Sequence, residues 1–270
     1  MVAGSFYPSD SEVLRRSIEA CFKHPVGPGE LPSSPDFLLA GKLSLVVPHA
    51  GYVFSGPVAS WAYLEASKRG KPRKVVLIGP NHTGIGEMVA VYPEGIWKTP
   101  MGTLKVDEEM VKLLLKESDF LAPDFNAHLY EHSLEVQLPF LQYIYGDEFT
   151  IIPITMMDQS LNTARKLAKL LETLLPEGTL LIASSDMDHY DDHETACEKD
   201  EKVIAAILKN DMERMYNFIR EYDITVCGYG PIAVLISMSH EKVKLLKHAT
   251  SGDTGGDRKR VVGYASFVIE

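Results

Sequence analysis

A chain of 270 residues, 45% of them hydrophobic and none in a low-complexity stretch, has enough apolar material for a large core, which excludes a disordered or fibrous class. Its net charge of −10, with only short basic stretches at 68–74 and 258–260, excludes a general nucleic-acid binder, which needs clustered Lys and Arg against phosphate. Three scattered cysteines rule out a disulfide framework. The first residues lack a signal peptide's basic start and apolar core, and no apolar run approaches the roughly 18 residues of a membrane span, so a cytoplasmic protein without membrane association is expected.

In chain order, the pattern predicts a helix over 11–22, a Pro/Gly/Ser-rich loop over 24–35, a strand over 43–47 and a helix over 57–68. A strand over 74–78 follows, then a loop with His82, Gly84 and Gly86, and a strand over 88–92. Residues 107–117 predict an amphipathic helix with Met110, Val111, Leu114 and Leu115 on its apolar side. Next come a helix over 134–145, a strand over 150–155, a helix over 162–174 and a strand over 179–183. Helices over 194–209 and 212–221, a strand over 224–227, a helix over 232–239 and strands over 243–249 and 261–269 close the chain. This alternation predicts an α/β fold, a mixed and largely parallel sheet with helices on both faces. With no linker or composition shift, residues 1–270 read as a single domain.

Polar motifs follow four of the predicted strands. Pro48-His49-Ala50-Gly51-Tyr52, Gly79-Pro80-Asn81-His82 and Ser185-Asp186-Met187-Asp188-His189 each succeed an apolar run, and Ile224-Thr225-Val226-Cys227-Gly228 repeats the pattern with a thiol. Ligands of open α/β sheets collect beyond the carboxyl ends of the strands, and imidazole, carboxylate and thiol bind metals and move protons. Such a convergence points to a metal site.

Each group is weighed against a bland reading. His49 and His82 sit beside turn-forming Pro and Gly, which favours ligation over a capped core histidine. Cys21 and Cys197 fall on amphipathic helices and read as small core residues, whereas Cys227 ends an apolar run before Gly228 and reads as reactive or ligating. Asp191 and Asp192 suit the start of the next helix, but Asp186 lies nearest the strand end and is not explained that way. His128 and His132 flank Glu131, and His189 and His193 are also four apart, but neither pair matches His-Glu-x-x-His. His132 is a candidate to line the cleft. His24, His240 and His248 take the bland reading. No phosphate loop, dinucleotide fingerprint, Gly-x-Ser-x-Gly elbow or Cys-x-x-Cys pair is present.

Taken in order, Pro-His-Ala-Gly-Tyr, Gly-Pro-Asn-His, Glu131-His132-Ser133-Leu134-Glu135, the Ser-Ser-Asp turn at 184–189 and Cys227-Gly228 resemble the Memo family. The opening Ala3-Gly4-Ser5-Phe6-Tyr7-Pro8 and the closing Val262-Gly263-Tyr264-Ala265-Ser266 extend the resemblance nearly end to end. It implies a LigB-like, phosphorylase/hydrolase-like fold related to class III extradiol dioxygenases. It also implies His49, His82 and Cys227 as metal ligands with Asp186 and His189 beside them. A functional link to a radical SAM protein is implied in prokaryotes.

LigB-type enzymes hold iron with two His and one carboxylate, so Cys227 stands where the carboxylate would be. Thiolate is softer and more easily oxidised, which favours copper, zinc or thiolate-bound iron and weighs against ring cleavage. The expected function is a redox-active iron or copper protein, a metal-dependent oxidoreductase, in which His189 and Asp186 handle protons. Zinc also fits the donors. The alternative is a non-catalytic cleft that binds a small molecule or a peptide segment.

Overall fold

Short apolar runs, too short to be helices, assemble one ten-stranded sheet in the computed structural model, which describes residues 2–238 and 242–269. The first elements are α1 (Ser11–Lys23), β1 (Lys42–Val47), α2 (Tyr52–Ser67), β2 (Lys74–Pro80), β3 (Val89–Val91), β4 (Ile96–Thr99) and β5 (Gly102–Val106). Then follow α3 (Glu108–Lys116), β6 (Ala122–Pro123), α4 (Asn126–Leu129), a 3-10 turn Glu135–Gln137 and α5 (Leu138–Tyr145). The chain continues through β7 (Thr150–Met156), α6 (Leu161–Leu174), β8 (Thr179–Ser184), α7 (His193–Leu208) and α8 (Met212–Glu221). It ends with α9 (Tyr229–Met238), β9 (Val243–Thr250) and β10 (Gly263–Ile269).

The strand order is β4-β5-β7-β2-β8-β1-β10-β9, with β3 pairing the far end of β7 and with β6. From β5 to β1 the neighbours are parallel, and β10 and β9 add antiparallel strands at one edge. Every residue of the central β8 is buried, so both faces of the sheet are covered. Helices α1, α2 and α5 form one layer, with α2 against β1, β9 and β10. The other layer has α9 against β8, β2 and β1, backed by α6, and α7 against β9 and β10.

Register does the positioning. Val47 lies opposite Ser184 and Ile78 opposite Ala183, so β1, β2 and β8 finish almost level. The residues just past each end must therefore meet.

Four expectations change. The helix predicted over 57–68 starts at Tyr52, because Phe6 O accepts the Tyr52 N–H and the helix is buried around most of its circumference, which outweighs Pro57 inside it. The β4–β5 hairpin escapes the pattern because β4 is a mostly exposed edge strand. The helix expected over 134–145 divides into the 3-10 turn and α5. Residues 224–227 are not a strand. Thr225 spends its backbone N–H on the Asp188 carboxylate and its carbonyl on His189, leaving neither for a neighbouring strand, and Cys227 lies in the turn before α9. Ser239, the expected end of α9, and His240 lie outside the described residues.

Helices α1 and α2 pack closely because Gly56 has no side chain, and a Cβ there would collide with Cys21 Sγ. Gly56→Ala is expected to destabilise the protein by about 1–3 kcal/mol, and by clearly less in a Cys21→Ala background. Urea unfolding of the four proteins measures this, and equal costs in both backgrounds would show that the two residues are not in steric contact.

Candidate metal centre

Beyond β1, Pro48 leads to His49, which is 2% exposed. Its backbone N–H donates to Asp186 Oδ1 at 2.8 Å, and its Nδ1 lies 2.8 Å from Ser184 Oγ. The Ser184 hydroxyl already donates to Ser133 O, so its oxygen accepts, from Gln137 Nε2 and from His49. The His49 proton therefore sits on Nδ1. Its Nε2 carries the lone pair, 3.2 Å from Cys227 Sγ.

His82 obeys the same logic. Its backbone N–H donates to Glu131 Oε2 at 2.6 Å, and its Nδ1–H donates to Glu131 Oε1 at 2.9 Å. Burial would raise the Glu131 carboxyl, but hydrogen bonds from His82 and Ser133 with the nearby imidazole prevail and hold it at about 2. Glu131 is thus an ionised acceptor that fixes the His82 ring through Nδ1.

Cys227 reaches the cluster from the turn before α9. Its sulfur accepts the Asp186 N–H at 3.2 Å, and Gln159 Nε2 donates to its carbonyl at 2.9 Å. Burial, with the Asp186 charge nearby, pushes the thiol well above its usual range when no cation is bound. Burial also lowers the His49 imidazole far below its ordinary value, helped by His132 and His82, so it stays neutral. One ligand atom from each of His49, His82 and Cys227 lies within 4.8 Å of the other two. Two imidazoles and one sulfur fit iron, copper or zinc, and a bound cation would convert the thiol to thiolate.

His132 stands beside them. Its ring stacks on His82 with centroids 4.7 Å apart and packs against Phe6 at 4.4 Å. A second trio, His82, Glu131 and His132, is equally compact. Glu131 already accepts from the His82 backbone, the His82 ring and the Ser133 N–H, which makes it an anchor for the imidazoles rather than a ligand.

Asp186 is buried, and burial raises its carboxyl while His189 and the His49 amide oppose the shift. With its side chain on the His49 backbone and its own N–H on Cys227, it ties these two residues together. His189 is held by Thr225 twice, its N–H donating to Oγ1 at 2.7 Å and its Nδ1–H to the carbonyl at 2.8 Å. Thr225 in turn donates its N–H and hydroxyl to Asp188 Oδ1, a fully buried carboxyl. Neither bond uses His189 Nε2. Tyr190 next to it takes the left-handed conformation, φ +72°, and its N–H donates to Val261 O.

The other candidates fall elsewhere. His193 contacts Thr250 and lies 3.8 Å from Cys197, and His248 is bonded to Asp200. His24 Nδ1 accepts the Val26 N–H in a turn, and Cys21 is a core residue. Glu131, Ser184 and Thr225 were not singled out from the sequence. Only Glu131 carried a signal, its place between two histidines.

A profile of Memo-like proteins matches residues 1–268. MEMO1 family proteins of Thermotoga maritima and Thermotoga neapolitana are 49% and 48% identical, matching 99% and 100% of this chain and 98% of each relative. One from Ignicoccus hospitalis is 47% identical over 98% of this chain and 95% of its own. Among solved structures, an uncharacterized protein of Escherichia coli K12 aligns with a TM-score of 0.60 over 84% of this chain and 99% of its own. At 14% identity that likeness concerns the fold.

Two outcomes are expected. A carboxyl held at about 2 instead of its ordinary 4.5 stabilises the fold above pH 4.5, and that contribution, about 3 kcal/mol, is lost as pH falls towards 2. Glu131→Gln should flatten this part of the acid limb in pH-dependent urea unfolding, and an unchanged limb would locate the effect elsewhere. In nitrogen NMR of histidine-labelled protein, His189 should show a protonated Nδ1. Asp188→Asn, which still offers an acceptor to Thr225, should keep that pattern, and Asp188→Ala should lose it. An unchanged His189 signal in Asp188→Ala would remove Asp188 from the chain of support.

Proposed function

Because this chain belongs to the Memo family, we propose that residues at the carboxyl edge of its sheet form a redox-active iron or copper centre held by His49, His82 and Cys227. The observation that carries this reading is the matched anchoring of the two histidines: each ring is held through Nδ1 from behind, and a ligand atom of each lies within 4.8 Å of one of Cys227. A bound iron or copper ion would supply one-electron chemistry and an open coordination position.

The surrounding residues have defined parts in such a centre. Asp186 fixes the His49 turn and steadies the sulfur through its amide. His189, held through Nδ1, accepts a proton at Nε2 from a bound substrate and returns it, as a metal-dependent oxidoreductase requires. His132 and Phe6 form an aromatic wall beside His82, whose side chain is 33% exposed and marks the open side. Cys227 supplies the single negative charge that a carboxylate gives in LigB-type dioxygenases, and its softness turns the centre away from catechol ring cleavage.

A second reading, a non-catalytic cleft that captures a small molecule or a peptide segment, draws on three exposed side chains near the site in sequence. Val53, Tyr130 and Tyr190 are all well exposed, near His49, Glu131 and His189 respectively.

Metal analysis of anaerobically purified protein separates these readings. One iron or copper per chain is expected, lost or greatly weakened in His49→Ala, His82→Ala and Cys227→Ser. The oxidised, loaded protein should show a sulfur-to-metal charge-transfer band that Cys227→Asp lacks. His189→Ala should keep its metal and lose turnover in an oxygen-consumption screen. Normal metal content in all three ligand variants would overturn the centre, and a loaded protein inert in every redox screen would favour the binding cleft.

A further inference from the structure

Cys227 is followed by Gly228, where a side chain is excluded: a Cβ there would run into Ser184 O and the Ser185 side chain. Gly228 precedes α9, and its carbonyl accepts the N–H of Ile232 at 3.0 Å. It therefore stands where Ser, Thr, Asp or Asn would normally give an oxygen to the free amides of the first turn, and it has no side chain to do so. Pro231, in that turn, brings no N–H and so adds no unmet donor.

The missing oxygen comes from elsewhere in the chain. Gln159, in the connection between β7 and α6, accepts the Gly230 N–H on Oε1 at 2.8 Å. The other end of the same amide, Nε2, donates to the Cys227 carbonyl at 2.9 Å. One planar group thus grips the chain on both sides of Gly228. The approach is close, since a Cβ on Gly230 would lie 2.7 Å from Gln159 Cβ. Gln159 is itself held: its carbonyl accepts the Tyr216 hydroxyl at 2.6 Å, and Met157 and Asp158 before it both donate to Met88 O.

We propose that Gln159 is a positioning residue for the Cys227 thiol, an inference that rests on the metal centre proposed above. Holding the Cys227 carbonyl fixes the peptide plane beside which the side chain departs, and the sulfur then lies 3.2 Å from the Asp186 N–H and 3.2 Å from His49 Nε2. A cap for α9 needs only the side-chain oxygen. The nitrogen is spent on Cys227, and a side-chain amide offers a donor and an acceptor next to each other, as these two backbone groups require.

Gln159→Glu separates the two parts. It keeps an oxygen for the Gly230 N–H and places negative charge at a helix N-terminus, which favours α9, but it sets a carboxylate oxygen against the Cys227 carbonyl. Gln159→Leu removes both bonds. The Asp186 amide donates to the sulfur, so its resonance reports the thiol's position in metal-free protein, and Cys227→Ala gives that resonance without sulfur. In nitrogen–proton NMR, both Gln159 variants should move the Asp186 amide at least halfway to its Cys227→Ala position. Both should bind Co(II) about tenfold more weakly than the unaltered protein, while only Gln159→Leu loses thermal stability. Leu114→Ala, which opens a cavity in the buried face of α3, should lower stability and leave the Asp186 amide and Co(II) binding unchanged. An Asp186 amide that stays in place in Gln159→Glu, one that moves equally in Leu114→Ala, or Co(II) binding that neither Gln159 variant weakens would overturn the proposal. If the unaltered protein takes up no Co(II) but the amide moves as expected, the metal centre fails and the positioning of the thiol stands.

Discussion

The carboxyl edge of this sheet depends on where three imidazole protons sit. Ser184, Glu131 and the Thr225 carbonyl each take the Nδ1 proton of one histidine, which leaves Nε2 of His49, His82 and His189 as the nitrogen not spent on these acceptors. None of the three acceptors is interchangeable with a donor. Ser184 is obliged to accept because its own hydroxyl is committed to Ser133, Glu131 because it is ionised, and the carbonyl because it has no proton. The chemistry of the site is thus decided one layer behind the residues that would carry it out.

That layer rests on the sheet. Ser184 is the last residue of β8 and lies level with Val47, two residues before His49, so the register of two parallel strands sets the distance between an imidazole and its acceptor. Asp186 extends the same economy past the strand end, with its carboxylate on the His49 amide and its amide on the Cys227 sulfur. Burial on both faces gives these strands little freedom to slip, since a one-residue shift would turn every side chain over. Rigidity at the site therefore comes from the hydrophobic core.

Much of this was legible in the sequence. The β-rich runs before His49, His82 and Asp186 announced the central strands, because fully buried parallel strands are written as continuous Val, Ile and Leu. The edge hairpin from Ile96 to Val106 was not, since a strand exposed on one edge carries little apolar signal. Residues 224–227 looked like a strand by composition, but the bonds that decide the matter come from Asp188 and His189, more than thirty residues away. Ser184 and Thr225 were invisible for a related reason. A hydroxyl or carbonyl acquires its role from a partner distant in the chain, and nothing in its neighbours records that.

Cys227 differs from His49 and His82 in how it is delivered. The two histidines follow strands whose ladders hold them in place, whereas the thiol arrives on an irregular segment after two helices, pinned outside any ladder by contacts such as those of Gln159 and Asp188. Lengthening α7, α8 or their connections leaves the register of the sheet untouched. Across distant sequences the two histidine motifs should therefore keep a constant offset from their strands, while the residue at the place of Cys227 is free to drift in position and in chemical type. An alignment that scores all three by fixed spacing will lose the third first.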